Sequence, residues 1–441
     1  MLKPELLSPA GTLKSMRYAF AYGADAVYAG QPRYSLRVRN NEFNKEENLA
    51  TAIDIAHRLG KQFYLATNLA PHNDKIRSFV RDMEPIVAMK PDALIMSDPG
   101  LIMMVRENWP DQVVHLSVQA NAVNWATVKF WQQQGVSRVI LSRELSLNEI
   151  EEIRQRVPEM ELEVFVHGAL CIAYSGRCLL SGYMTHRDSN QGACTNSCRW
   201  KYDTHEAKET PEGDIVAVEK FDPMTTQSTQ DKIFLLQEEG RPGEYMPAYE
   251  DEHGTYIMNS KDLRAVQHVK RLAEMGIHSL KIEGRTKSHF YVARTAQIYR
   301  RALDDAANKA DFDWTLMDQL EGLAHRGYTA GFYRRHLPAE FQNYEENTSN
   351  SGTQQFVGEV TEYDRSKGLM TITVKNRFAV GDQLELMTPA GDHVFTLNHI
   401  ETTKGETVDV AKGDGWTVRI PAPADFDPEY AMLMRNKAAG G

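Results

Sequence analysis

Outside residues 171–198 the 441-residue chain has no cysteine; inside that window stand all four, Cys171, Cys178, Cys194 and Cys198. Core thiols scattered through a fold would not cluster in this way, and a disulfide framework tying the whole chain together is excluded. Long apolar runs are also missing. No stretch approaches the roughly 18 consecutive apolar residues that a membrane-spanning helix needs. The opening residues, MLKPELLSPAGTL, lack the basic stretch and apolar segment of a secretory signal. The chain is therefore expected in the cytoplasm, without a membrane partner, where clustered cysteines more often hold metal than form disulfides. Basic charge is not in excess either. A formal net charge of −10 argues against wholesale coating of nucleic acid and leaves room only for a local positive patch. Glycine-rich nucleotide loops, H-E-x-x-H and G-x-S-x-G are absent, so serine- and zinc-protease templates find no support.

What is present is a regular alternation. Short β-branched or apolar runs at Glu5–Pro9, Ala26–Ala29, Gln62–Thr67, Ala93–Ser97, Val113–Val118, Arg138–Ser142, Leu162–His167 and Ser279–Glu283 read as strands. Amphipathic segments such as Lys14–Tyr22, Glu47–Leu59, Ile76–Val87, Ala122–Gln134 and Ser146–Val157 lie between them. The last opens with Ser-x-x-Glu, a capping box. Eight such units predict an α/β fold, a (β/α)8 TIM-like barrel over residues 1–340. A ninth run, Tyr256–Asn259, is assigned to the end of an insertion spanning about 168–259 after strand seven, and a helix is predicted over Lys261–Met275. In a barrel, loops after strands build the active face, so the insertion sets its cysteines over the mouth. A long helix, Ser288–Ala307, follows strand eight. Beyond a polar linker the pattern changes to period two, and residues 354–435 are predicted to form a small C-terminal all-β domain, a β-barrel or sandwich.

The cysteines are spaced Cys-x6-Cys, fifteen residues, then Cys-x3-Cys. Structural zinc sites favour tight pairs, which only the second pair resembles; a wide first pair suits a cluster wrapped by a loop. Spacing alone leaves iron–sulfur, zinc and unligated thiols open. His167 closes strand seven, where a histidine can act as acid, base or anion ligand. Asn68, Asp98, Gln119, Asn121, Arg143, Glu144, Glu283 and Arg285 stand at other strand ends. This mixture suits an anionic organic substrate held by guanidinium forks and amides. Glu144 and Glu283 could serve as an acid–base pair, or Arg143–Glu144 and Glu283–Arg285 could brace the rim as ion pairs. The loop after strand two carries Arg33, Arg37 and Arg39 beside Tyr34 and Phe43, a pattern that can grip phosphates or stack on bases.

The run Glu163-x-Phe165-x-x-Gly168-Ala169-Leu170-Cys171, followed by Gly176-x-Cys178-x-x-Ser181, resembles the signature of the collagenase-like peptidases of unassigned mechanism (peptidase family U, number thirty-two). The likeness extends through ELLSPAG, AYGADAVYAG, NQGACTNSCRW, SLKIEGR and the β-rich tail. Within that family the chain is most similar to members that hydroxylate tRNA. The resemblance implies a barrel with a small β-domain, a 4Fe-4S cluster on Cys171, Cys178, Cys194 and Cys198, and O2-independent formation of 5-hydroxyuridine at the wobble position. It also implies prephenate, or a metabolite of that pathway, as oxygen donor. An anticodon-loop base is already unpaired, so presenting it to a barrel mouth costs less than flipping it from a duplex. On this reading Arg33, Arg37 and Arg39 contact phosphates of the tRNA anticodon loop. Arg143 and Arg285 hold the carboxylates of the small anionic metabolite, Asn68 and Gln119 bind substrate, and His167 transfers a proton with Glu144 and Glu283. The alternatives are a collagenase-like peptidase and a non-catalytic, zinc-bearing RNA-binding protein.

Overall fold

The computed structural model describes residues 3–31, 33–36, 41–170, 261–325, 327–334, 350–351 and 354–436, together with five short strands between His205 and Tyr256. Seven strands enter the barrel in sequence order: β1 (Glu5–Pro9), β2 (Ala26–Gly30), β3 (Gln62–Ala66), β4 (Ala93–Met96), β5 (Val114–Leu116), β6 (Arg138–Ile140) and β7 (Glu161–Ala169). The eighth, β8 (Ser279–Ile282), pairs in parallel with both β7 and β1 and closes the ring. Six helices of the outer layer are α1 (Leu13–Ala21), α2 (Glu46–Arg58), α3 (Phe79–Ala88), α4 (Pro99–Asn108), α5 (Trp125–Gln133) and α6 (Leu147–Arg156). Three more follow the insertion: α7 (Val269–Glu274), α8 (His289–Ala307) and a short helix, Thr315–Glu321. Side chains start several of them sharply. Thr12 caps α1 through the Ser15 amide, Ser146 and Glu149 form a reciprocal capping box on α6, and Ser288 caps α8. Each cap satisfies amides that a helix start leaves without partners. No described helix is long and apolar enough to cross a membrane.

Of the run Tyr256–Asn259 only Tyr256 is among the described residues, and it ends a strand, Gly254–Tyr256, that pairs with Tyr245–Asp251 in a separate sheet. Lys261–Met275 departs from the sequence reading. Asp262–Arg264 is a strand lying antiparallel on Ala169, Gly168 and His167, and the helix starts only at Val269. The apolar spacing of this stretch fits either period over so few residues, and the exposed edge at the end of β7 takes the segment as a partner.

The barrel interior is unusual in being charged. Arg138 of β6, 6% exposed, reaches Glu5 of β1 at 2.8 Å, Glu161 at 2.8 Å and Glu163 of β7 at 3.3 Å. Lys281 of β8 donates to the other oxygen of Glu163 at 2.8 Å. Ser279 and the Tyr64 hydroxyl complete Glu5. His115 packs edge-on to Tyr64, and burial, then the cations Arg138 and Lys281, hold its pKa well below the ordinary value. It therefore sits in the network as a neutral ring. Buried charges persist only where they are mutually paired and hydrogen-bonded, and here four strands supply one another's partners.

The C-terminal domain is an antiparallel sheet of β9 (Gln354–Asp364), β10 (Leu369–Val374), β11 (Gln383–Thr388), β12 (Gly391–Thr396), β13 (Thr417–Pro421) and β14 (Met432–Asn436), extended by Glu401–Thr402. It docks on α1 and α8. Arg294, 1% exposed, reaches Glu385 and, at 2.8 Å, Asp392. Met387, Met432 and Met434 join the barrel's apolar core, and Phe356 stacks on Phe290. Lys14 of α1 and His289 of α8 close on Glu359 at 2.6 and 3.1 Å. His289, then Lys14, pull that carboxyl down to about 2 against the opposing effect of burial. A carboxyl depressed in the fold stabilises it above the unfolded pKa and loses that contribution as pH falls. Urea unfolding midpoints of the native chain and Glu359→Gln are therefore expected to differ at pH 7. The difference should shrink between about pH 5 and pH 2.

Candidate active site

Residues that follow the strands of a parallel barrel gather at one end, so the site is built from strand termini. Glu283 follows β8 directly. Its Oε2 accepts the Tyr28 hydroxyl at 3.0 Å and lies 4.0 Å from the Arg143 guanidinium, with both partners of that ion pair less than a tenth exposed. Arg143 stacks 3.8 Å over the Phe165 ring, so its charge is aimed across the mouth by an aromatic shelf. Arg285 donates to the Ser35 hydroxyl at 3.0 Å and stands 5.6 Å from the Tyr28 ring centroid. On the opposite arc Asn68 donates to the Ser117 hydroxyl at 3.3 Å, and that hydroxyl lies 3.3 Å from Gln119 Oε1. Glu144 accepts the Ser142 hydroxyl. The rim thus joins a guanidinium–carboxylate arc on β6 and β8 to an amide–hydroxyl arc on β3 and β5. The first can neutralise and orient a carboxylate. The second offers the mixed donors and acceptors that a pyrimidine edge requires.

Gly168 sets the height of this arrangement. Its φ is +100°, and a Cβ there would fall 2.4 Å from the Glu283 carbonyl oxygen. Only glycine permits that approach and that conformation. The Glu283 amide also donates to the His167 carbonyl at 2.8 Å, which locks the two strand ends together.

His167, expected to transfer a proton, packs among tyrosines at the end of β7. The β7–β8 register shifts between Lys281 and Ile282, so one extra residue enters β7. Such a bulge reverses the inward–outward alternation. Glu163 and Phe165 face the interior network, and His167 turns to Tyr291, Tyr299 and Tyr328. It is 1% exposed, and burial, then Arg264, Lys287 and His325, lower its pKa to about 3. Burial and the neighbouring cations favour its neutral form there.

Arg33 is tied to the outer layer. It pairs with Asp82 of α3 at 2.9 Å, and Asp82 also accepts the buried Tyr34 hydroxyl at 2.8 Å. Arg37 and Arg39 lie outside the described residues. Asp98 caps α4 through the Leu101 amide, and Asn121, at φ 52°, donates to the Gln119 carbonyl. Sequence reasoning missed Tyr28, because it sits in mid-strand, and missed the hydroxyls of Ser35, Ser117 and Ser142. Tyr28, Ser117 and Ser142 had a signal in the parity of their strands, whereas Ser35 lies in the loop five residues beyond β2 and had none.

All four cysteines lie outside the described residues. Among those described, no three His, Cys, Asp or Glu side chains converge as a metal site. Leu170, the last described residue after β7, stands at the mouth end of the barrel and precedes Cys171 in the sequence. By donor chemistry alone, the four thiols of this stretch of sequence make a set that suits a soft centre such as an iron–sulfur cluster.

The model of Peptidase family U32 matches residues 11–343, and that of the Peptidase family U32 C-terminal domain matches residues 352–435. The chain is 65% identical to tRNA hydroxylation protein P of Escherichia coli, across 99% of this chain and 97% of that protein. It is 61% identical to the protein of the same name from Haemophilus influenzae, across 98% and 96%. A more distant relative, a 23S rRNA 5-hydroxycytidine synthase of Escherichia coli, is 28% identical across 98% of this chain and 59% of its own length.

Proposed function

The chain belongs to peptidase family U32, and from that membership and the chemistry of the barrel mouth we propose that it hydroxylates tRNA. The finer reading is C5 hydroxylation of the wobble uridine to 5-hydroxyuridine without O2. Oxygen comes from prephenate or a related anionic metabolite. The observation that carries this reading is the near-full-length match to proteins named for tRNA hydroxylation. A relative named for making 5-hydroxycytidine supports C5 of a pyrimidine as the position modified.

Cys171, Cys178, Cys194 and Cys198 would hold a 4Fe-4S cluster. Such a cluster, when bound, supplies a redox-active or Lewis-acid iron for activating an oxygen donor. The chain's own residues do the rest. Arg143 and Arg285 engage the donor's carboxylates, because both present guanidinium groups at the rim. The Asn68–Ser117–Gln119 arc meets the amide edge of the uracil ring. Arg33, with Arg37 and Arg39, meets anticodon-loop phosphates at the rim's edge. Glu283 accepts the C5 proton, while Glu144, held by Ser142, lies past the end of β6, on the far side of β7.

Nucleoside mass spectrometry of tRNA tests the proposal. A bacterial strain deleted for its own U32 hydroxylases should lack 5-hydroxyuridine and regain it when this chain is expressed. Expression that leaves the nucleoside absent, or that instead yields gelatin cleavage by the pure protein, would overturn the reading.

A further inference from the structure

Tyr28 stands in the middle of β2 and is 3% exposed, with its ring inside the barrel and its hydroxyl directed to the rim. Two acceptors lie at 3.0 Å from that hydroxyl: the Glu283 carboxylate and the Ile282 carbonyl. Two cations border its ring, Lys281 at 4.3 Å and Arg285 at 5.6 Å from the centroid. Lys281 is itself anchored by Glu163 at 2.8 Å, so the ring rests on the charged network beneath the mouth. Cations over an aromatic face hold it in place, and a phenol in a dry interior gives its proton to the stronger acceptor, here the charged one.

We infer that Tyr28 is a positioning residue that aims the Glu283 carboxylate at the C5–H bond of the target pyrimidine. The inference rests on the hydroxylase reading. In that reaction the donor gives up one oxygen atom and is reduced by two electrons. A C5–O bond forms on the ring, the C5–H bond breaks, and its electron pair restores the C5=C6 double bond. The proton passes to Glu283 and from there to the new oxygen, giving the hydroxyl. The second acceptor explains why a phenol suits this place. While Glu283 is ionised, Tyr28 donates to it. Once Glu283 takes the proton, the phenol turns to the Ile282 carbonyl without moving its ring, so neither state strands a buried donor.

Tyr28→Phe removes the hydroxyl and keeps the ring and both cation contacts. Turnover is measured anaerobically with unmodified tRNA, using an extract of the deletion strain as the source of oxygen donor. Tyr28→Phe should lower kcat about 10- to 100-fold, and Glu283→Gln about 1000-fold. KM for tRNA should stay within about twofold, because the hydroxyl makes no ground-state contact with RNA. The double variant should be no slower than Glu283→Gln alone, since a group acting through another adds nothing once that other is gone. Tyr64→Phe is the control. It too removes a phenol from a buried carboxylate, Glu5, but at the barrel floor, and should keep kcat. Wild-type turnover in Tyr28→Phe, multiplicative losses in the double variant, or an equal loss in Tyr64→Phe would each overturn the inference while leaving the hydroxylase reading intact. A wild-type chain that forms no 5-hydroxyuridine would overturn the underlying reading, before any variant is compared.

Discussion

Replacement of Cys171, Cys178, Cys194 or Cys198 by alanine, one at a time, is expected to abolish 5-hydroxyuridine formation and to strip iron and sulfide from the protein. A cubane cluster is held by thiolates, and losing one leaves an iron exposed to solvent and the cluster prone to disassembly. The loss should be complete, because on this account the mouth residues bind and orient substrates while activation of the oxygen donor falls to the cluster. Visible absorption of the anaerobic protein gives a readout independent of activity and should bleach in each variant. The barrel should survive. Its core is built from strands and helices that precede and follow the loop, so far-ultraviolet circular dichroism should match that of the native chain. A variant lacking all four cysteines that still modifies tRNA would contradict the assignment.

The second large effect concerns stability. Glu163 is fully buried and accepts from both Lys281 and Arg138. Glu163→Ala leaves Lys281 in the barrel without its carboxylate. Burial already lowers the Lys281 pKa, and Glu163 is the main group opposing that shift. Removing one member of a buried pair costs about 3–5 kcal/mol, whereas replacing both by apolar groups of similar volume is often nearly neutral. Urea unfolding should therefore show a loss of about 3–5 kcal/mol for Glu163→Ala. Glu163→Leu combined with Lys281→Met should recover most of it, less what Arg138 loses. Arg138 retains Glu5 and Glu161, which limits that remainder. Equal destabilisation of the single and double variants would show that volume, not charge, is what the interior requires.

The eight barrel strands were legible because a parallel sheet buried on both faces leaves apolar runs of a length that helices do not share. The caps were legible because they are local: Ser146 and Glu149 need nothing beyond their own helix. What escaped was set by the closed sheet. Which side of β7 faces inward at residue 167 depends on a bulge opposite Lys281 and Ile282, and no pattern within β7 announces it. The inward charges Glu5, Arg138, Glu163 and Lys281 stand on four strands far apart in sequence and pair only when the ring closes. β14 departs from the period-two pattern of its domain for another reason. Its run Ala431–Met434 is apolar without alternation, because it lies between β9 and β11 and also packs on the barrel. The rim carboxylate and guanidiniums were legible as strand-end residues. The pairing of Arg143 with Glu283, instead of with adjacent Glu144, follows from the adjacency of β6, β7 and β8.

The central claim is an iron–sulfur centre carried by one loop at the mouth of the barrel, where a nucleobase meets Glu283. Iron, zinc and acid-labile sulfide measured on anaerobically purified protein test it most directly. The account predicts iron and sulfide in equal amounts, about four of each per chain, with zinc negligible. One zinc per chain with no sulfide would contradict it.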